Sequence, residues 1–426
     1  MIKLAEVMLK SAEHENFNAG MIYQICKAYD NSKIIFFGHS EYIAHMKNVL
    51  AEAKVDYEVE FVPIDFLMET SDLTRCLTYI YSFGDALSNI IFLTVDTNTL
   101  VSINAFLSEH SGLEAYVCGH GDIECLTKRK ERVCQASYIF SFRPRTIAHV
   151  IKDILIQVMS YPKRKMNRKY AVKAWLDFCS LDNAHVFLFS SAYRTADLEK
   201  KIKKAFSKVV FIHLPYILKN NSHISKNVLK PDNNEPIRIG CTPRALRERG
   251  GYTWKIIKYV IRHADRVNNK FVFSFFVHYH PNWKHVETYG AGEESNSINF
   301  WKTANDRAHY ITFIEGIDYM LIGYGREMYQ LSSSGIMTDA VYNGIPTFMY
   351  QSHCFDDFDS WNIGRRAYTV KEMGESIIDE INCYTNDRAK CYEEELRKCQ
   401  ETFEQDNILT LRHLKLERLR NIKNTS

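Results

Sequence analysis

A chain of 426 residues is too long for one compact core and suits two domains of about 200 residues each. A hydrophobic fraction of 46% with 25% charged residues is that of an ordinary soluble globular protein and excludes a disordered chain. Fifty-four basic residues nearly balanced by 51 acidic ones, net +3, exclude a general polyanion binder.

In chain order, the first half reads as short apolar strands alternating with helices. A strand at "IKLAEVML" is followed by a loop "KSAEHENFNAG", a helix "MIYQICKAY" and a strand "KIIFFG". Then come helix "SEYIAHMKNVLAEA", strand "VDYEVEFVPI", a helical stretch around "LTRCLTYIYSFGDAL", strand "NIIFLTV", helix "TLVSINAFLSEH" and strand "LEAYVCG". Further strands are expected at "ASYIFSF", "HVFLFSS" and "VVFIHLPYI". Strands separated by crossover helices predict a parallel sheet covered on both faces.

The polar run "KNNSHISKNVLKPDNNEP" breaks this pattern and reads as a linker. A second series then begins with strand "PIRIGCTP", helix "YTWKIIKYVIRHA", strand "KFVFSFFVHYHP" and strand "AHYITFIEG". After it, a strand ending near Leu331 leads through three serines into helix "IMTDAVYNG" and an apolar strand. A long charged helix is expected from about Asp387 to Asn421. The division is residues 1–220, a linker 221–236, a second domain 237–385 and a helical segment 386–426. The fold class is α/β, two Rossmann-like domains facing across a cleft at the carboxyl ends of their strands, where such folds bind ligands.

Eleven cysteines without a CxxC pair, and no signal-peptide pattern at "MIKLAEVMLK", lead us to expect reduced thiols and a cytoplasmic address. No apolar run approaches the roughly 20 residues of a spanning helix, so membrane contact is expected to be peripheral at most. The basic stretch "YPKRKMNRKYAVK", Tyr161 to Lys173, suits an anionic membrane surface, although a solvated helix end or loop is the default reading.

Several loops carry candidate chemistry. Ser332, Ser333, Ser334 and Gly335 offer hydroxyls and free backbone N–H groups at a helix start, the requirements of a phosphate site; the plain alternative is a serine N-cap. Gly344 suits the residue that ends that helix. Arg244, Arg247 and Arg249 stand beside Gly250 and Gly251 after the first strand of the second domain, where a guanidinium fork can grip phosphate or a basic turn can simply be solvated. His278 and His280, with Pro281 behind them, end a strand, and His280 can face a phosphate; no third ligand makes them a zinc site. Glu315 reads as ending the following strand, able to accept from a ribose or to lie in a surface turn.

In the first domain, His14, Glu15, Asn16 and Asn18 lie in the loop after the first strand, and His120, Asp122 and Glu124 follow a later one. His14, His120 and Glu15 are candidates for taking a proton from an acceptor hydroxyl, and Asn18 and Asp122 for holding that acceptor. An N-cap role for Asn18 and turn roles for Gly119 and Gly121 are the plain readings.

With these residues on the page, the chain resembles the GT-B glycosyltransferases, whose two Rossmann-like domains enclose a nucleotide-sugar. "SSSGIMTDAVYNGIPTFMY" resembles their donor-phosphate corner, "CTPRALRERGG" the loop that brings a basic residue to the diphosphate, and the final helix the element that crosses back to the first domain. "HYHP" followed by Glu315 and the serine pair is similar to the His-Pro and Ser-Ser motifs of bacterial enzymes with cytidine-nucleotide donors. The resemblance implies a metal-independent, cofactor-free transfer of sugar from a nucleotide-sugar to a glycan or lipid-linked glycan in cell-surface polysaccharide assembly. A sugar-nucleotide 2-epimerase of the same fold and a non-catalytic scaffold are the alternatives.

Overall fold

The computed structural model describes residues 1–9, 14–53, 58–65, 73–84, 89–119, 121–126, 166–189, 196–217, 235–241, 252–278, 298–303, 307–326, 329, 334–414 and 416. The first unit runs β1 (Ile2–Ala5), α1 (Glu15–Ala28), β2 (Ile34–Gly38), α2 (Ser40–Glu52), β3 (Val59–Pro63), α3 (Leu73–Ser82), β4 (Asn89–Phe92), α4 (Thr97–Glu109) and β5 (Ala115–Gly119). It continues with α5 over residues 166–180, β6 (Ala184–Leu188), α6 (Ala196–Ile202) and β7 (Val209–Phe211). The second unit runs β8 (Ile237–Cys241), α7 (Tyr252–Arg262), β9 (Phe271–His278), β10 (Ile298–Thr303), α8 (Arg307–Glu315), β11 (Tyr319–Ile322), α9 (Gly335–Tyr342), β12 (Thr347–Tyr350), β13 (Gly364–Ala367), α10 (Val370–Asn382) and α11 (Asn386–His413).

Each unit holds one parallel sheet. The first is ordered β3-β2-β1-β4-β5-β6-β7 and the second β10-β9-β8-β11-β12-β13. In each, the first strand pairs on one side with the second and on the other with the fourth, as Ile2 does with Ile34 and with Asn89. That is the doubly wound order, which reverses direction between β1 and β4 and between β8 and β11 and opens a crevice there.

Buried sheets need apolar residues on both faces, and β1 and β2 supply them alternately. Ile2, Leu4 and Phe36 join one core, and Ala5, Ile35 and Phe37 the other. Lys3 is the exception: fully buried in β1, its ammonium donates to the Ile80 and Tyr81 carbonyls at the end of α3, at 2.9 and 2.8 Å. A cation at a helix C-terminus meets carbonyls left without helical partners.

Helix α11 joins the units. Its first half packs Tyr392, Leu396, Cys399 and Phe403 into the second core, while Leu411 and the following Leu416 enter the first. At 28 residues it spans about 42 Å. Lys27 and Tyr23 of α1 both reach Glu404, and Asn407 bonds Gln24 at 2.9 Å.

Several expectations change. Residues 307–315 form helix α8, not a strand, because Tyr310, Phe313 and Ile314 recur at helical spacing towards the core, with the Tyr310 and Phe313 rings against Phe276. Helix α1 begins at Glu15, inside the run read as a loop. Gly20, read as the end of that loop, sits within the helix, where a Cβ would lie 2.6 Å from the Pro215 carbonyl carbon. The crossing segment after β7 is therefore seated directly on the α1 backbone. Strands β10 and β13 and helix α10 were not foreseen. The strand before the serine corner, β11, ends at Ile322, and Leu331 lies outside the described residues. So does the strand expected at "ASYIFSF".

Candidate functional site

The crevice of the second sheet is built by close backbone approach. Leaving β11, Gly323 lies so near α7 that a Cβ would sit 2.2 Å from Thr253 Oγ1 and 2.6 Å from its backbone nitrogen. A Cβ on Gly325 would be 3.0 Å from the Tyr252 ring. Only residues without side chains allow this contact, and it brings the start of α7 against the β11–α9 connection. Tyr252 also packs on Tyr350 at the end of β12, with ring centroids 4.8 Å apart. Tyr324, buried between the two glycines, stacks with Phe355 and meets Tyr329. The ends of β11 and β12 and the starts of α7 and α9 thus share one aromatic floor.

Ser334 is the N-cap of α9. Its Oγ accepts from Met337 N–H at 3.2 Å and faces the Tyr324 hydroxyl at 3.4 Å, and the residue is 1% exposed. The plain reading of a capping serine is therefore the one the geometry gives for Ser334, and its hydroxyl is turned inward. Gly335, by contrast, is exposed, and a Cβ there would meet nothing within 4 Å. Among the described residues, no neighbouring atom requires glycine at that place. The first N–H groups of α9 are without helical partners, as at any helix start, and carry the positive end of its dipole.

Behind it, Asp339 accepts from the Tyr216 and Tyr310 hydroxyls at 2.6 and 2.8 Å. Burial, then Asp339, pushes the Tyr310 phenol well up, so it stays a proton donor. Tyr216 belongs to the segment seated on Gly20 of α1. The helix that opens at the serine corner is thus tied to the junction between units.

On the first sheet the corresponding crevice lies after β1 and β4. His14 is the N-cap residue of α1, in the left-handed conformation at φ 56° and ψ 15°, and its carbonyl accepts from Asn18 N–H at 2.9 Å. Non-glycine residues are rare in that region and their occurrence there points to local demands on the site. Glu15 follows as an acidic residue in the first turn, only 7% exposed, so its carboxyl favours the helix start and does not stand open to an acceptor. Asn18, expected to cap the helix or hold an acceptor, is fully buried within α1, its amide donating to Glu6 Oε2 at 3.0 Å and to the Tyr42 hydroxyl at 2.6 Å. The polar spacing of "EHENFN" hid the inward face of a helix.

Glu6, which sequence reasoning passed over, anchors this network. Its Oε1 accepts from Met8 and Leu9 N–H at 3.1 and 3.2 Å, at the start of the β1–α1 connection. Burial pushes its carboxyl above the usual range. An acid interrupting the apolar strand "IKLAEVML" was the available signal. Arg326, exposed and just beyond Gly325, was also missed, although Gly-Tyr-Gly-Arg after an apolar run marks a turn at a strand end.

Glu315 ends α8, just before β11 begins, so it stands at the opposite end of that strand from the corner. That separates it from Ser334 and removes it from the donor group. Asp122 lies in the 3-10 turn Gly121–Leu126 after β5, with its side chain outside the description. Ser332, Ser333, Arg244, Arg247, Arg249, His280 and His120 also lie outside the described residues. The acidic run Asp356 to Asp359 belongs to a short turn in which Asp356 and Asp359 both engage Arg366.

No family model matches the sequence, and no curated protein does. Solved structures do match its fold along the whole chain. A glycosyltransferase from Rickettsia africae aligns at 10% identity with a TM-score of 0.58, covering 97% of each chain. A UDP-forming α,α-trehalose-phosphate synthase from Burkholderia xenovorans, in complex with glucose-6-phosphate, aligns at 9% identity and TM-score 0.53, covering 97% of this chain and 99% of its own. A lipopolysaccharide outer core galactosyltransferase aligns at 12% and 0.51, with 97% and 99% covered. With two doubly wound sheets facing across a cleft and a C-terminal helix crossing back to the first domain, this chain has the GT-B fold.

Proposed function

We propose that the protein is a glycosyltransferase: the second domain holds a nucleotide-sugar, and the first holds a glycan or lipid-linked glycan whose hydroxyl receives the sugar. The observation that carries this reading is the exposed Gly335 at the start of α9, on the connection that leaves β11 at the β8–β11 switch point, where Tyr252, Tyr324 and Tyr350 make a floor. A diphosphate suits such a helix start, where the N–H groups and the helix dipole favour negative charge. Two fold neighbours, a UDP-forming synthase and a lipopolysaccharide galactosyltransferase, are in keeping with this class of donor and acceptor.

In this mechanism the helix dipole, Ser332, Ser333 and cations of the 244–249 loop stabilise charge as the nucleotide departs, so no metal is called for. Ser334 shapes the corner by capping it. His14, at the mouth of the first domain's crevice, takes the acceptor proton, with Glu6 holding the start of the loop that leads to it. Membrane-proximal polysaccharide assembly in the cytoplasm fits a lipid-linked acceptor. The test is to supply nucleotide-sugars with and without a lipid-linked glycan fraction and follow nucleotide release. Release that requires the acceptor supports transfer. Conversion of the donor alone replaces it with an epimerase, and silence with every donor favours a scaffold.

A further inference from the structure

The outer faces of α4 and α5 differ from the rest of the described surface. Among the described residues, six large apolar or aromatic side chains remain exposed, and four of them are on these two helices: Val101, Met166, Tyr170 and Leu176. Met166 is 65% and Tyr170 48% exposed. Helix α5 is anchored by its opposite face, with Ala174, Trp175, Phe178 and Cys179 in the first-domain core. Helix α4 lies alongside, its Asn104 amide donating to the Ala174 carbonyl at 3.0 Å.

Charge on α5 is mostly positive, with Arg168, Lys169 and Lys173 against Asp177. Lys169 and Lys173 are exposed among the apolar side chains of α5, where Asp177 is the single acid. Within α4, Glu109 at its end is the one charged residue, in a chain where 25% of residues are charged. A lysine stem can lie on an apolar layer while its ammonium reaches phosphate, and tyrosine favours the same boundary. A surface made only for water does not gather its apolar residues in one place.

We propose that this face seats the protein on an anionic lipid surface, with Met166, Tyr170, Leu176 and Val101 entering the headgroup boundary and Lys169 and Lys173 pairing with lipid phosphates. A second copy of the chain fits less well, because a two-fold contact through this face brings the same cations against one another. The placement needs no nucleotide, so its failure and that of the transferase reading are separable.

The test is co-sedimentation of the full chain with vesicles of phosphatidylcholine alone or mixed with phosphatidylglycerol, at low and high salt. The expected result is salt-sensitive binding to the anionic vesicles only. Lys169→Glu/Lys173→Glu should weaken it at least ~25-fold, at roughly fivefold for each cation near a charged membrane. Tyr170→Ser should weaken it without altering the charge. The matched reversal Lys255→Glu/Lys258→Glu, on exposed cations of α7 in the other domain, should leave it nearly intact. Thermal melting unchanged in all three variants shows that the fold survives. No binding to anionic vesicles, equal losses from both charge reversals, or a dimer that dissolves in the Lys169/Lys173 variant would overturn the proposal.

Discussion

Asn407, near the end of the C-terminal helix, pairs with the main chain of His213 through both of that residue's polar groups. It accepts the His213 N–H at 2.7 Å and donates to its carbonyl at 2.9 Å. His213 lies just beyond the last strand of the first sheet, so one buried amide side chain completes that strand's bonding and fixes the crossing helix upon it. Asn407→Leu removes these bonds and the one to Gln24, leaving buried donors and acceptors unpaired at about 1–3 kcal/mol each before relaxation. The expected loss in urea unfolding is about 2–4 kcal/mol. A change within about 0.5 kcal/mol would mean that apolar packing alone docks the helix.

Glu380 fixes the start of the same helix. Fully buried, it bonds Arg365, Arg388 and the Tyr392 hydroxyl. Burial alone would raise its carboxyl, but Arg388, Arg365 and Tyr392 together hold it below the usual value. A lowered folded value contributes stability at pH above the unfolded carboxyl's range, and that contribution is lost as pH falls through the folded value. Glu380→Gln should therefore cost stability at neutral pH, about 1–3 kcal/mol because both arginines are partly hydrated. The deficit should shrink on acidification below about pH 4.5. A deficit independent of pH would show that shape, not charge, matters there.

Ser334 and Ser333 should separate as cap and ligand. Ser334→Ala removes the α9 cap and should cost about 0.5–2 kcal/mol in stability whether or not nucleotide is present. Ser333→Ala should leave stability within about 0.5 kcal/mol and act on nucleotide affinity alone. Equal stability losses in the two variants would end this division of labour.

How much of this was visible beforehand follows from the kind of signal involved. Parallel strands buried on both faces appear as apolar runs such as "IIFFG" and "NIIFLTV", so the two sheets and the crossing helix were legible. Strand "GRRA", at the sheet edge, has no apolar run to reveal it. "AHYITFIE" misled because β-branched and aromatic residues mimic a strand while their spacing is helical. At the site, the serine corner could be found from residue type alone. Glu6 and Asn18 could not, because their pairing depends on how α1 settles over β1, and Gly20 reads as a loop glycine until the segment lying across it is seen.

Gly323 tests whether the close contact beneath the crevice matters. Gly323→Ala forces a Cβ into Thr253 at 2.2 Å, where the neighbour is partly backbone and cannot swing aside. Overpacking of this kind costs about 1–3 kcal/mol and should push α7 away from β11. Nucleotide affinity should fall along with melting temperature. A variant that melts lower yet binds nucleotide as before would place the ligand elsewhere.

The most direct measurement is calorimetric titration of the protein with UDP, GDP, ADP, CDP and CMP, repeated on Ser333→Ala and Arg326→Ala. The account predicts that one nucleotide binds selectively, that Ser333→Ala weakens it about tenfold or more, as losing a bond to a charged group does, and that Arg326→Ala weakens it as well. A CMP preference would match the His-Pro resemblance. Binding unaffected by both substitutions, or no binding by any of the five, would contradict a donor site at the start of α9.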